Sequence, residues 1–278
     1  VIDIRTSAGV GDISNEILRR WSDKGYDQAV KEGNYDRSRE RLNFEIAKGG
    51  KVVPVDKDRP LDKRMAEMLA SRGIKDPNVG RVNPNIRTAV QFIFSGSHDR
   101  MTELAFGNQK VDFEAKCGNE NVQRMPEIEQ WAKDIYDFVA RKFGEENIIS
   151  FVVHLDETTA HAHCDIVPVN EQGRISYKDV FHGHNKAEYK QFILQLHNEL
   201  AEVNSKWGLA RGTSKVLTGA KGHTTESYRR WLNQECDSLE ERRSNLQNAI
   251  SELNKELATA MTKQKSFTTM IENLTAKK

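Results

Sequence analysis

The spacing of hydrophobic and polar residues changes along the chain, and this spacing predicts most of the elements. Short runs rich in β-branched and aromatic residues are typical of strands. These runs are residues 1–6, 87–95, 151–153 and 166–169. Apolar positions three or four residues apart predict amphipathic helices. The helices are residues 61–72, 126–143 and 186–207, and residues 49–60 form a loop or a short hairpin. Because strands and helices alternate irregularly, we expect an α+β domain with a central antiparallel sheet and helices packed mainly on one face.

From Leu239 onward the hydrophobic period becomes seven. Apolar residues follow two heptad registers, and Arg243 and Gln264 interrupt the second one. The first register is Leu239, Leu246, Leu253, Ala260, Phe267 and Leu274, and the second contains Ile250, Leu257 and Ile271. This pattern predicts a long C-terminal coiled-coil helix. Its stripe is too narrow to be stable alone, so it needs a partner, either a second copy of the chain or another helix.

The length of the chain suits one sizeable domain and an appendage. We divide its 278 residues into a domain at 1–210, a basic segment at 211–235 and the coiled coil at 236–278. No apolar run is long enough to span a membrane, and no secretory signal pattern is present. The three cysteines lack C-x-x-C spacing, so we expect reduced thiols and a cytoplasmic location.

Three histidines lie where two predicted strands meet. Because side chains on a strand alternate between faces, His161 and His163 present their imidazoles on the same face, and His154 can complete the set from the neighbouring strand. Three imidazoles on one side of an ion leave the other side open, which is typical of a catalytic metal site. Zinc would suit three histidines, whereas nearby oxygen ligands and a phosphate substrate would favour magnesium or manganese. The alternative is that they are ordinary surface or core histidines.

The same stretch carries a resemblance to a known family. HLDETTAHAH, residues 154–163, resembles the H-x-D-E-x-x-P-H-x-H signature of the MobV (Mob/Pre) plasmid mobilisation relaxases, a branch of the HUH endonucleases. The resemblance implies an HUH relaxase-like fold and a divalent metal held by His154, His161 and His163, which polarises the scissile phosphate of single-stranded DNA. Glu157 would lie close to the metal or assist the chemistry. Ala160 stands where the family usually has proline.

A second motif precedes the central strands. NYDRSRERLNF, residues 34–44, resembles the second signature of the family, and Arg41 occupies a position where relatives commonly carry histidine. The matching positions are Asn34, Asp36, Arg39, Asn43 and Phe44. Guanidinium and amide groups suit phosphates and base edges, so this motif predicts DNA contacts. The predicted contacts are Arg37, Arg39, Arg41 and Asn43. An ordinary charged helix face is the alternative.

The segment after the third long helix is basic and rich in glycine. Only Glu226 opposes the positive charges between residues 209 and 230. A flexible basic segment near a metal site can hold a DNA backbone electrostatically, and we predict that Arg211, Lys215 and Lys221 contact DNA. This stretch also resembles the run that follows the catalytic domain in the family. A solvated linker is the alternative.

The nucleophile is the point where the resemblance does not carry over. The family is associated with a histidine nucleophile before the second signature, yet this chain has no histidine before His98. A phenol of pKa about 10 is a better leaving group than a serine alkoxide for the religation step. Tyr26 and Tyr35 are the tyrosines of this region, and we predict Tyr26 as the nucleophile, with Tyr35 second and His98 third.

Together these features predict a metal-dependent relaxase of a bacterial mobilisable element. It would nick and religate one strand of single-stranded or supercoiled DNA at the transfer origin, through a covalent 5′-phosphoryl-protein intermediate. One alternative is a metal-dependent phosphoesterase that uses activated water and leaves no adduct. The other is a non-catalytic DNA-binding coiled-coil protein that needs no metal.

Overall fold

The computed structural model describes residues 2–32, 35–113, 117–213 and 225–276. The chain divides into two compact units, Val1–Gly212 and Thr213–Lys278. The first unit contains every strand found in the described residues, and the second consists of one long helix where it is described.

A six-stranded sheet forms the centre of the first unit. Its strands are β1 (Ile2–Ser7), β2 (Phe44–Ala47), β3 (Lys51–Val53), β4 (Ala89–Ser95), β5 (Ile148–His154) and β6 (His161–Ile166). Their order across the sheet is β1-β4-β6-β5-β2-β3, and every neighbouring pair is antiparallel. The hairpin between β2 and β3 turns through Gly49 and Gly50, whose φ angles of 79° and 69° favour glycine. The expectation of an antiparallel sheet is confirmed.

Seven α-helices accompany the sheet in the described part of the first unit. They are α1 (Gly11–Ile17), α2 (Asp23–Glu32), α3 (Leu61–Ser71), α4 (His98–Phe106), α5 (Pro126–Phe143), α6 (Tyr177–Val180) and α7 (Lys186–Ser205). Short 3-10 turns occupy Glu40–Leu42 and Glu145–Asn147. The three helices predicted from the apolar spacing correspond to α3, α5 and α7.

The helices divide unequally between the two faces of the sheet. Alternate strand residues such as Phe92, Phe151 and Cys164 pack with the apolar sides of α4, α5 and α7 in the larger hydrophobic cluster. The opposite face carries a smaller cluster in which Val152 and Val167 pack with α1 and α3. The expected α+β fold, with helices mainly on one face, is therefore confirmed.

The register of β5 and β6 decides which side chains share the less covered face. His154 pairs with His161, and Val152 pairs with His163. Since Val152 belongs to the smaller cluster, His163 lies on that face too, and His161 follows by the two-residue repeat of a strand. The histidines therefore lie at the end of the two central strands, beside α1.

The second unit is the helix α8 (Thr225–Thr275). It begins before residue 236, so part of the predicted basic segment is helical. Its heptad leucines and isoleucines are exposed by about 60%, for example Leu246 at 64% and Leu257 at 58%. No helix in the described part of the chain combines the length and apolar composition needed to cross a membrane.

Candidate metal centre

Three imidazoles converge at the end of β5 and β6. One ring nitrogen from each of His154, His161 and His163 lies within 4.8 Å of the other two. The Nε2 atoms of His161 and His163 are 3.0 Å apart. Two nitrogens that each lie about 2.1 Å from one ion are separated by about 3.0–3.4 Å, so this spacing fits a shared cation. The sequence had predicted these three residues as ligands, and the structure brings them together.

The hydrogen bonds of the rings show which nitrogen faces the centre. His154 Nε2 lies 2.8 Å from the carbonyl oxygen of Ile17, and His161 Nδ1 lies 2.9 Å from that of Thr159. A carbonyl oxygen only accepts, so both of these nitrogens carry the proton and donate it. The remaining nitrogens, His154 Nδ1 and His161 Nε2, therefore present lone pairs to the centre. A backbone carbonyl that fixes the tautomer in this way is typical of metal-binding histidines.

The surroundings favour the neutral form of two imidazoles, those of His154 and His163. Burial lowers the pKa of His154, and the positive charge of Arg19 lowers it further. Burial also lowers the pKa of His163, with His161 and His154 adding to the effect. A neutral imidazole has a free nitrogen lone pair, so it can bind a cation without first releasing a proton. His154 Nδ1 is fully buried and has no hydrogen-bond partner, so its lone pair is available to coordinate a cation.

A carboxylate lies at the same centre. Glu157 Oε1 is 3.6 Å from His154 Nδ1 and 3.6 Å from His161 Nε2. The same oxygen accepts a hydrogen bond of 2.6 Å from Nη2 of Arg19. Arg19 also makes two 2.9 Å hydrogen bonds to the Asp156 carboxylate, from Nε and Nη2. Burial alone would lower the pKa of Arg19, but Asp156 and Glu157 together raise it, so the guanidinium stays charged.

The second motif supports the turn that carries these carboxylates. Arg39 donates to the carbonyl oxygens of Leu155 at 2.6 Å and Glu157 at 3.2 Å, and the Asn43 side chain accepts from the Leu155 backbone at 2.7 Å. Arg39 and Asn43 are only 1% and 7% exposed. Neither leaves a polar surface for a phosphate or a base, so the structure does not support them as DNA contacts.

Asp36 completes this support. Its backbone N–H donates to the Asp156 carbonyl at 2.7 Å, and its carboxylate accepts from Arg39 Nε at 2.7 Å and from Asn119 Nδ2 at 2.6 Å. Burial would raise the pKa of Asp36, but hydrogen bonds from Ser38, Arg39 and Asn119 lower it overall. The charged carboxylate is therefore the stable form.

The other predicted DNA contacts differ in their placement. Arg37 is exposed and pairs with Asp23 at 2.9 Å and Asp27 at 3.3 Å. Arg41 is also exposed, and its Nη2 donates to the carbonyl oxygens of Glu120 and Val122. Arg211 is exposed, whereas Asn34, Lys215 and Lys221 lie outside the described residues. The contacts of these exposed arginines with DNA stay predictions.

The two candidate tyrosines share an aromatic cluster with Trp21. The ring centroids of Trp21 and Tyr26 are 5.4 Å apart, and those of Trp21 and Tyr35 are 5.2 Å apart. Tyr26 is 4% exposed, and burial followed by the charges of Asp156 and Glu40 raises its pKa. Tyr35 is half-buried; Arg19 lies over its ring at 4.6 Å, and burial and Glu157 raise its pKa. Both phenols therefore hold their protons more tightly than free tyrosine.

Arg19 is the residue of the centre that sequence reasoning missed. Two adjacent carboxylates beside neutral histidines require a positive partner, but the chain holds 42 lysines and arginines. Sequence spacing gives no means of selecting Arg19, because it lies 137 positions from Asp156. His182 and His184, the other H-x-H pair, do not join the centre; His184 Nε2 instead lies 2.6 Å from Asp179.

Comparisons with known proteins agree with the resemblance stated from the two motifs. The family model described as plasmid recombination enzyme matches residues 119–230. The plasmid recombination enzyme type 1 of Staphylococcus aureus is 37% identical over 105 residues, which are 37% of this chain and 25% of that protein. A plasmid recombination enzyme of Bacillus thuringiensis is 30% identical over 91 residues, which are 33% of this chain and 16% of that protein. The alignment thus spans a quarter or less of these two relatives.

A solved structure has the same fold. The Mn-bound MobM relaxase domain (MOBV; Mob_Pre), in complex with plasmid pMV158 oriT DNA at pH 6.8, superposes with a TM-score of 0.56. The two chains are 18% identical over 83% of this chain and 97% of that one. At this identity the comparison establishes the fold alone. Together the comparisons confirm the resemblance to MobV relaxases.

Proposed function

We propose that this chain is the relaxase part of a plasmid mobilisation enzyme, which nicks and religates one DNA strand at a transfer origin. The observation that carries the proposal is the convergence of three imidazoles and the Glu157 carboxylate at one end of the sheet. Relatives named plasmid recombination enzymes and the MobM complex with oriT DNA support it.

The donor set fits a divalent cation. His154, His161 and His163 would hold the ion, and the Glu157 oxygen at 3.6 Å from two of the ring nitrogens suits manganese or magnesium better than an all-nitrogen site would. Manganese is the ion of the MobM complex. When bound, such an ion neutralises charge on the non-bridging oxygens of a phosphodiester.

The residues of the chain have separate tasks in this proposal. The backbone carbonyls of Ile17 and Thr159 orient two of the imidazoles. The exposed cations Arg37, Arg41 and Arg211 would attract and orient the DNA backbone, together with Lys215 and Lys221 of the basic segment. Glu157 lies where it can bind the cation or accept a proton.

Tyr26 is the proposed nucleophile. Attack by its phenol oxygen would form a bond to the 5′ phosphorus and break the bond to the 3′ oxygen, which leaves as a hydroxyl. Burial opposes loss of the phenol proton, so the attacking form would require the DNA and the cation to be present. Tyr35 is the second candidate, because it is more exposed and lies against Arg19.

The covalent adduct gives the decisive test. Supercoiled DNA that carries the chain's own mobilisation region is incubated with the protein and Mn²⁺, and nicked product is analysed with and without protease. We expect a nick at one site with protein attached to the 5′ end, and a phosphotyrosyl peptide that contains Tyr26. Tyr26→Phe keeps the ring, so it should bind the same DNA and form no adduct. A phosphotyrosyl peptide that contains Tyr35 instead would identify Tyr35 as the nucleophile, and the proposed reaction would be unchanged.

Two outcomes would replace the proposal. A metal-dependent nick without attached protein would indicate a phosphoesterase that activates water. DNA binding that survives chelator and His161→Ala, with no nick, would indicate a non-catalytic DNA-binding protein. A matched control is His184→Ala, because this exposed histidine contacts Asp179 rather than the centre.

We also propose that α8 pairs with another helix. Most of its large exposed apolar residues follow the heptad positions from Leu239 to Leu274. These residues are Leu239, Leu246, Ile250, Leu253, Leu257, Phe267, Ile271 and Leu274. An a/d stripe of this kind is stable when a second helix covers it. Sedimentation of the full chain distinguishes the two possible partners of α8. If the partner is a second copy of the chain, the protein sediments as a dimer, and if it is a different protein, the chain sediments as a monomer.

A further inference from the structure

Arg19 occupies an unusual position beside the candidate metal centre. It follows the end of α1, it is 4% exposed, and its backbone φ is 51°, a left-handed value that is strained for a residue with a side chain. Its guanidinium lies against the turn after β5, where it contacts Asp156 and Glu157. Such a conformation persists only where the surrounding contacts outweigh its cost.

The contacts of the guanidinium are of that kind. Nε and Nη2 each donate to the Asp156 carboxylate at 2.9 Å, Nη1 donates to the Glu16 carbonyl at 2.7 Å, and Nη2 also donates to Glu157 Oε1 at 2.6 Å. The rings of Tyr35 and Trp21 cover it at 4.6 and 5.4 Å. The planar group is therefore fixed on several sides, and Asp156, which is 0% exposed, neutralises it.

The geometry of Glu157 connects this group with the histidines. The oxygen that accepts from Arg19 is the same oxygen that lies 3.6 Å from His154 Nδ1 and from His161 Nε2. A carboxylate oxygen has two lone pairs, so one can accept from Arg19 while the other faces the cation site. Without Arg19, the partly exposed Glu157 side chain would be free to turn to solvent.

We propose that Arg19 is a positioning residue, which Asp156 holds in place and which fixes Glu157 Oε1 as an additional ligand for the divalent cation. Arg19 itself does not touch the cation or the DNA in this arrangement. The inference rests on the proposed metal-dependent function and adds to it the residue that sets the geometry of the carboxylate ligand. Partners of this kind behind a metal ligand typically change metal affinity by about 10- to 100-fold.

The test is a calorimetric titration of the full chain with Mn²⁺ in the absence of DNA. Arg19→Lys keeps the charge, but its single ammonium cannot bridge two carboxylates in a planar fork. We expect Arg19→Lys to bind Mn²⁺ about tenfold more weakly than wild type. In a Glu157→Gln background the same change should alter the affinity by less than about twofold, because Arg19 acts through the carboxylate that is then absent.

Arg64→Lys is the matched control. Arg64 is also buried and also pairs with a carboxylate, that of Glu45, but none of its hydrogen bonds reaches the histidines. It should show a similar loss of thermal stability and unchanged Mn²⁺ affinity. Wild-type affinity in Arg19→Lys, or an equal loss in the Glu157→Gln background, would overturn the inference.

A second variant covers the case in which Arg19→Lys does not fold. Glu157→Asp keeps the charge and shortens the side chain by one methylene, so the carboxylate cannot reach both Arg19 and the cation. We expect about a tenfold loss of Mn²⁺ affinity, and wild-type affinity would overturn the inference. Wild-type protein that binds no Mn²⁺ would instead refute the proposed function, whereas binding that depends on His161 but not on Arg19 would refute only the positioning role.

Discussion

Two motifs of this chain are rich in polar residues but place them differently. They are the histidine motif, residues 154–163, and the arginine motif, residues 34–44. In the histidine motif, ring nitrogens of His154 and His161 lie 3.6 Å from the same oxygen of Glu157. In the arginine motif, Arg39 Nη1 and Asn43 Oδ1 are buried in hydrogen bonds to the backbone of the first motif. One motif therefore carries the candidate metal ligands, and the other supports the turn between their strands.

This difference limits what a functional motif implies. A guanidinium within a motif can contact a substrate, or it can satisfy carbonyl oxygens that a sharp turn leaves without partners. Arg37 and Arg39 are two positions apart, yet the side chain of Arg37 is 52% exposed and that of Arg39 is 1% exposed.

The largest effect should come from a ligand of the histidine motif. His161→Ala should abolish both Mn²⁺ binding and nicking, because one of three converging nitrogens is lost. Its side chain is partly exposed, so the metal-free fold should be largely unchanged. Titration calorimetry, a nicking assay and circular dichroism measure the three properties. Full cleavage by this variant in chelator would show that the histidines are not the metal site.

The next effect should be on stability and should come from the arginine motif. Arg39→Met keeps the size of the side chain but leaves the Asp36 carboxylate without its charged partner, and it removes two hydrogen bonds to the turn. Breaking a buried ion pair in this way costs about 3–5 kcal/mol. Urea unfolding of the metal-free protein measures the loss. A loss below about 1 kcal/mol would mean that Arg39 is not a support of the turn.

Arg37→Met is the counterpart two residues away. Its ion pairs are exposed, so the free energy of unfolding should change by less than about 0.5 kcal/mol. If Arg37 contacts a phosphate, DNA affinity should fall a few-fold, and the slope of log affinity against log salt should fall by about one. Fluorescence anisotropy with a single-stranded oligonucleotide at several salt concentrations measures both. An unchanged slope would remove Arg37 from the DNA contacts.

The smallest effect on chemistry should come from the tail. Removal of the residues after Cys236 deletes most of α8, which carries the heptads. Nicking of a short single strand should stay within about twofold of wild type, while self-association or partner binding should be lost. Nicking and sedimentation assays on the same preparation test this. If the shortened protein binds Mn²⁺ but cannot cut the oligonucleotide, α8 is part of the active domain.

Local sequence patterns predicted several of the elements and the candidate metal ligands. Strand periodicity placed His161 and His163 on one face, and the apolar spacing located α3, α5 and α7, because these signals depend on residues a few positions apart. The heptads likewise indicated a long terminal helix, although the helix begins at Thr225, before the apolar repeat does.

Which charged groups lie in contact depends on the tertiary structure. Arg19 and Asp156 are 137 positions apart, and Asp36 and Asn119 are 83 apart, so no local pattern links them. The burial of Arg39 also depends on the turn after β5, because the carbonyl oxygens of that turn accept from Arg39. Arg37 makes no such contact with the turn and is exposed. The sequence names the residues that carry charge, but desolvation and pairing are set by neighbours that only folding brings together.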